Sequence, residues 1–156
     1  MKAMVVYDSV HGNTERVAQA IGRALGSAEQ VETRRLADVE PELLMALDVL
    51  VAGSPTHAFQ PTPATKEFLK SIPAGGLEGV SVAAFDTRLS VDSPVLGILV
   101  KVFGYAAKPI ANRLRNKGGE LVAPPEGFIV EGTEGPLREG ELERAADWAR
   151  RVAAVG

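Results

Sequence analysis

The stretch Met4-Val5-Val6-Tyr7-Asp8-Ser9-Val10-His11-Gly12-Asn13-Thr14 decides how this chain folds. An apolar run stops at Asp8 in a short loop that carries hydroxyls and a glycine, and a helical pattern follows at once. The physical reading is a buried strand, a tight turn and a helix N-terminus. The amides of residues 11 to 14 and the hydroxyls of Ser9 and Thr14 then converge on one point, aided by the helix dipole. Such a point suits a phosphate. Gly12 supplies the backbone freedom that lets a ligand approach closely. The loop holds no Lys or Arg, so its donors are neutral. Neutral donors fit a phosphate monoester that is held rather than transferred.

Working outward, Glu15 to Leu25 reads as a helix, with Val17, Ile21, Ala24 and Leu25 on one apolar stripe. Gln30 to Leu36 reads as a weaker strand near an edge, and Pro41 to Leu47 as a short helix. Asp48 to Gly53 is a second continuous apolar run, hence a third strand, and it ends in the loop Ser54-Pro55-Thr56-His57-Ala58-Phe59-Gln60-Pro61. Pro63 opens a helix that Pro73 stops. Val80 to Phe85 is the fourth strand, with Asp86 to Ser90 as the loop behind it. Pro94 to Lys117 is mostly helical, broken or kinked at Pro109. Its apolar part, 94–105, is best placed as core packing; a patch for a dimer partner, a quinone or a membrane surface is the other reading. Glu120 to Val130 holds the fifth strand, which Pro124-Pro125 forces to bend or to an edge. Glu139 to Val155 closes the chain as a helix.

Strands alternating with helices predict a parallel sheet covered on both faces, as one domain over residues 1–156. Ligands of such sheets bind beyond the carboxyl ends of the strands, where the strand order reverses. The unusual loops after the first, third and fourth strands would meet on that edge.

Composition narrows the chemistry. The chain has 156 residues, 46% hydrophobic and 24% charged, and a net charge of −3. That balance is mild and of the wrong sign for a general nucleic-acid binder. The absence of cysteine excludes disulfides, thiolate catalysis and cysteine-held metals. With two histidines, His11 and His57, a histidine-rich metal site is not expected. The N-terminal apolar run is short for a signal peptide, and no run reaches the ~20 apolar residues of a membrane span. A cytoplasmic protein without stable membrane insertion is the expectation. Gly-x-x-x-x-Gly-Lys-Ser/Thr and Gly-x-Gly-x-x-Gly are both missing, so a P-loop and the usual dinucleotide site are unsupported.

The seventeen residues Val5 to Ile21 resemble the flavodoxin signature, matching at the strand residues and at Ser9, Gly12, Thr14, Ala18 and Ile21. The resemblance implies the flavodoxin-like α/β three-layer sandwich, with a five-stranded parallel sheet in the order 2-1-3-4-5. It implies FMN as cofactor, with its phosphate held by Ser9, Val10, His11, Gly12, Asn13 and Thr14. Gly53-Ser54-Pro55-Thr56 resembles the start of the first loop that flanks the flavin, where His57 and Phe59 are the side chains able to stack on a ring. Asp86, Thr87 and Arg88 match the second flanking loop by position. Arg88 either favours an anionic reduced flavin or is a solvated surface charge. The family often sandwiches the ring between two aromatics, and this chain has none between Phe85 and Phe103. The activity implied is electron transfer with a redox partner protein, with no side chain acting as acid or base. An FMN-dependent oxidoreductase acting on a quinone or protoporphyrinogen, and a module binding flavin weakly or not at all, are the alternatives.

Overall fold

The computed structural model describes residues 1–90 and 94–155. In chain order the elements are β1 (Ala3–Tyr7), α1 (Asn13–Leu25), β2 (Val31–Arg35), two short 3-10 turns, β3 (Val49–Pro55), α2 (Pro63–Ser71), β4 (Ser81–Leu89), α3 (Pro94–Phe103), α4 (Ala107–Asn116), β5 (Glu120–Leu121), β6 (Glu126–Val130) and α5 (Glu141–Val155). The sheet runs β2-β1-β3-β4-β5, all parallel, and β6 continues the β5 edge by pairing with β4. The order is the 2-1-3-4-5 that the signature implied. Pro124 and Pro125 explain the split of the last strand, because neither can donate to the ladder.

The strand patterns follow from position. Every residue of β1 is buried, whereas edge strand β2 buries only Val31 and exposes Glu32, Arg34 and Arg35. One sheet face packs under α1 and α5, with Val5, Val51, Ile21 and Val152 in its core. On this face Phe85, Phe128 and Trp148 meet edge to face, with ring centroids 6.2 to 6.3 Å apart. The Trp148 indole N–H has no acceptor among the described residues, so this ring contributes through packing alone. The other face packs under α2 and α4, with Met4, Val6, Leu50, Leu69 and Ile110 in its core.

Three expectations are corrected. Residues Asp86 to Leu89 are strand rather than loop, because β6 gives them partners from Phe85↔Glu126 to Leu89↔Val130. The helical stretch breaks at Gly104, whose φ of 73° ends α3, while Pro109 sits in the first turn of α4, where its missing N–H costs nothing. The 94–105 segment is not core: Val95, Ile98 and Val102 are 69%, 64% and 70% exposed.

Two devices fix the ends of helices. The Thr62 hydroxyl caps α2 by accepting the Thr65 amide at 3.3 Å, and it donates to the Asp8 carboxylate at 2.5 Å. Thr62→Ala loses both bonds and leaves Asp8 without that donor, so it should cost about 1–2 kcal/mol in denaturant melts. At the other end, Glu141 accepts from Arg144 Nε at 2.9 Å and from the Ile129 amide at 2.6 Å. The Arg144 bonds, aided by the Ile129 amide and against burial, hold the Glu141 carboxyl below the usual range. Its folded pKa is depressed, so its contribution to stability is present above about pH 4.3 and is lost as pH falls through the folded value. Glu141→Gln should therefore flatten the acid limb of the stability profile; an unchanged acid limb would remove this carboxylate from the linkage.

Candidate functional site

The register brings the carboxyl ends of four strands to one edge. Tyr7 pairs with Gly53, Pro55 with Thr87 and Leu89 with Val130. The strands are in close contact here: a Cβ on Gly53 would fall 2.1 Å from the Phe85 ring. The loops that follow border an open cleft, whose space of about 470 Å³ includes the solvent at its mouth.

The first wall is the loop at the start of α1. The Ser9 hydroxyl turns inward and accepts from the Gly12 amide at 3.1 Å and, more weakly, the Glu15 amide at 3.4 Å. Gly12 sits before the helix with φ 90°, which a residue with a side chain rarely adopts. Among the described residues the amides of Val10, His11, Asn13 and Thr14 have no acceptor in the protein. They are the open donors of a helix start, where the dipole favours negative charge. The Thr14 hydroxyl is 2.8 Å from that of Thr87. One hydrogen serves that bond, so the pair retains a second hydrogen for a ligand. The Asn13 side chain donates to the Glu134 carbonyl at 3.2 Å, tying the loop after β6 to this wall.

The second wall is Pro55, Thr56 and His57. His57 and Gln60 exchange backbone hydrogen bonds of 2.8 and 2.9 Å around a two-residue turn. Both turn residues, Ala58 and Phe59, have positive φ, 48° and 68°, without being glycine. Such residues are held at a cost, and strained turns cluster beside ligand sites. Ala58→Gly should raise stability by up to ~1 kcal/mol in thermal melts, because glycine takes that conformation freely.

The third wall is the end of β4. Strand alternation points Thr87 and Leu89 one way and Asp86 the other. Asp86 is fully buried, away from the cleft. Its oxygens accept from Arg88 Nε at 2.7 Å, Arg88 Nη2 at 2.8 Å and the Ala107 amide at 2.9 Å. Burial pushes the Asp86 carboxyl upward, opposed by the Arg88 guanidinium and the Ala107 amide. Arg88 lies 3.5 Å from the Tyr105 ring centroid, and a Cβ on Gly127 would collide with its guanidinium. Arg88 is thus a clamped ion-pair partner at the cleft's rim and not a freely solvated charge.

Of the residues singled out in the sequence, Val10, His11, Asn13, Thr14, Pro55, Thr56, His57, Thr87 and Arg88 line the cleft. Ser9 and Gly12 shape the loop from behind. Phe59 and Asp86 are not among the lining residues. Leu89, Val130 and Thr133 line it without having been foreseen. Leu89 was hidden because β4 continues past Phe85, and the other two because the Gly132–Gly135 turn folds back over α1. Among the described residues no Phe, Tyr or Trp lines the cleft, and the apolar surfaces there are those of Val10, Pro55, Leu89 and Val130. Among the described residues no cluster of His, Asp or Glu could hold a metal. The arrangement can hold an anion on neutral donors beside apolar walls.

The model of the flavodoxin family matches residues 5–148. A flavodoxin from Clostridium saccharobutylicum is 25% identical over 155 residues, covering 98% of this chain and 96% of that relative. The crystal structure of oxidised flavodoxin 1 from Bacillus cereus superposes with a TM-score of 0.78 at 17% identity, covering 99% of this chain and 98% of the other. An archaeal flavodoxin superposes with a TM-score of 0.75 at 24% identity, covering 99% and 97% of the two chains. These two likenesses establish the fold.

Proposed function

The chain belongs to the flavodoxin family, and from that premise we infer that it binds FMN through the first loop and carries electrons to and from a redox partner protein. The observation that carries this reading is the set of four amides, from Val10, His11, Asn13 and Thr14, that have no acceptor among the described residues and stand at the mouth of the cleft. They fit a phosphate: an anion at a helix start satisfies donors that folding leaves open.

When bound, FMN supplies the redox chemistry at its isoalloxazine ring. The chain's own part is to hold and orient. The loop amides and the Thr14 and Thr87 hydroxyls anchor the phosphate end. The Pro55–His57 wall and Leu89 flank the ring and limit water. Arg88, held by Asp86, keeps a positive charge at the rim, where negative charge builds on reduction. The neutral donor set, which suits holding a phosphate rather than transferring it, favours a carrier over an enzyme with its own substrate. A cytoplasmic location belongs to the same proposal.

Titration of the purified protein with FMN, followed by flavin fluorescence, tests the reading. The expected result is quenching that saturates at one FMN per chain, and a reduced complex that passes electrons to a small haem protein. Fluorescence that stays unquenched at micromolar protein would favour a module that has lost the cofactor.

A further inference from the structure

The exposed face of α3 is apolar where a surface helix should be polar. Val95, Ile98, Leu99 and Val102 recur at helical spacing and are 69%, 64%, 38% and 70% exposed. They form one continuous stripe of the kind that marks an interaction site. The charged side chains that α3 and α4 carry have one sign. Residues 94–117 contain no Asp or Glu, in a chain whose net charge is −3. Lys101, Lys108, Arg113 and Arg115 are exposed there, and among the described residues none of them is in an ion pair.

The stripe is also fixed in place. Just beyond α3, Tyr105 stacks under Arg88, and the Ala106 amide donates to Thr56 Oγ1 at 3.1 Å. Residues 94–116 are apolar and long enough as helix to cross a bilayer by composition. The break at Gly104 and the burial of Ile110, Ala111 and Leu114 against the sheet tie the second half into the fold. What remains free is one short apolar helix that carries Lys101 and is followed in the chain by the exposed cations of α4.

We propose that α3, with the basic residues of α4, docks the protein on the surface of an anionic lipid membrane. An apolar stripe sinks into the acyl boundary while neighbouring Lys and Arg side chains meet anionic headgroups. A second copy is a poorer occupant: a two-fold contact through α3 would set the same cations against one another. Docking would leave the cleft near the membrane surface, since the residues just after α3, Tyr105 and Ala106, contact two of its lining residues, Arg88 and Thr56.

The test is co-sedimentation of the FMN-loaded protein with vesicles of phosphatidylcholine alone and of phosphatidylcholine mixed with phosphatidylglycerol. Binding should be at least about tenfold stronger to the anionic vesicles and should fall with added salt. The double substitution Ile98→Ser with Val102→Ser should weaken it about tenfold, with FMN titration and thermal melting unchanged. Lys101→Gln with Arg115→Gln should erase the preference for anionic lipid. The proposal is overturned if the protein ignores anionic vesicles at low salt, if Ile98→Ser with Val102→Ser binds them as the parent does, or if light scattering finds a dimer which that pair dissociates. Vesicle binding is read on the protein, so a failed FMN titration would strike the proposed function and leave this inference to its own result.

Discussion

FMN should bind about a thousandfold or more tightly than riboflavin, which differs from it only by the phosphate. On the proposed reading the phosphate would meet the amides of Val10, His11, Asn13 and Thr14, which have no other acceptor among the described residues, and the hydroxyl pair Thr14–Thr87. A hydrogen bond to a charged group is worth about 1.5–3 kcal/mol net, so two or three of them give roughly 4 kcal/mol and a ratio of ~10³. Because the donors are neutral, the ratio should change little with salt; a lysine-built site would lose much of it to screening. Paired titrations with FMN and riboflavin at low and high salt measure both quantities. A ratio below about ten would mean the loop amides are not the anchor, and that ring contacts hold the flavin.

Asp86→Ala should be the most damaging single change away from the cofactor. Asp86 is fully buried and accepts three hydrogen bonds, from Arg88 twice and from the Ala107 amide. Its loss leaves the Arg88 guanidinium without its partner between Tyr105 and β6, and opens the start of α4. Removing one member of a buried ion pair costs about 3–5 kcal/mol. In a domain of this size that is a fall of roughly 6–20 °C in the melting temperature. Asp86→Asn keeps the shape and removes the charge, so it should fall between parent and Ala. A loss under about 1 kcal/mol would place the pair in water's reach and make Arg88 a surface charge.

The sequence made the first loop legible because its chemistry is local. A strand, Ser9, Gly12, Thr14 and a helix stripe lie within seventeen residues, and they fold as that pattern requires. The sheet order was legible for the same reason, through the signature. The third wall was not. Whether Asp86 faces the ligand or the core depends on where β4 ends, and β4 ends late only because β6 pairs with it forty residues downstream. Thr133 reaches the cleft through Asn13 and a distant turn, which no local pattern encodes. The exposed stripe of α3 reads as core because hydrophobicity alone cannot say which side of a helix the sheet occupies.

The central claim is that the loop from Ser9 to Thr14 anchors the phosphate. The most direct measurement is a map of backbone amide shifts in ¹⁵N-labelled protein as FMN is added, with inorganic phosphate as a second titrant. The largest changes are expected on residues 10 to 14 with both titrants, and residues 55–57 and 87–89 should move with FMN alone. Amides of residues 10 to 14 that stay still while FMN binds elsewhere would contradict it.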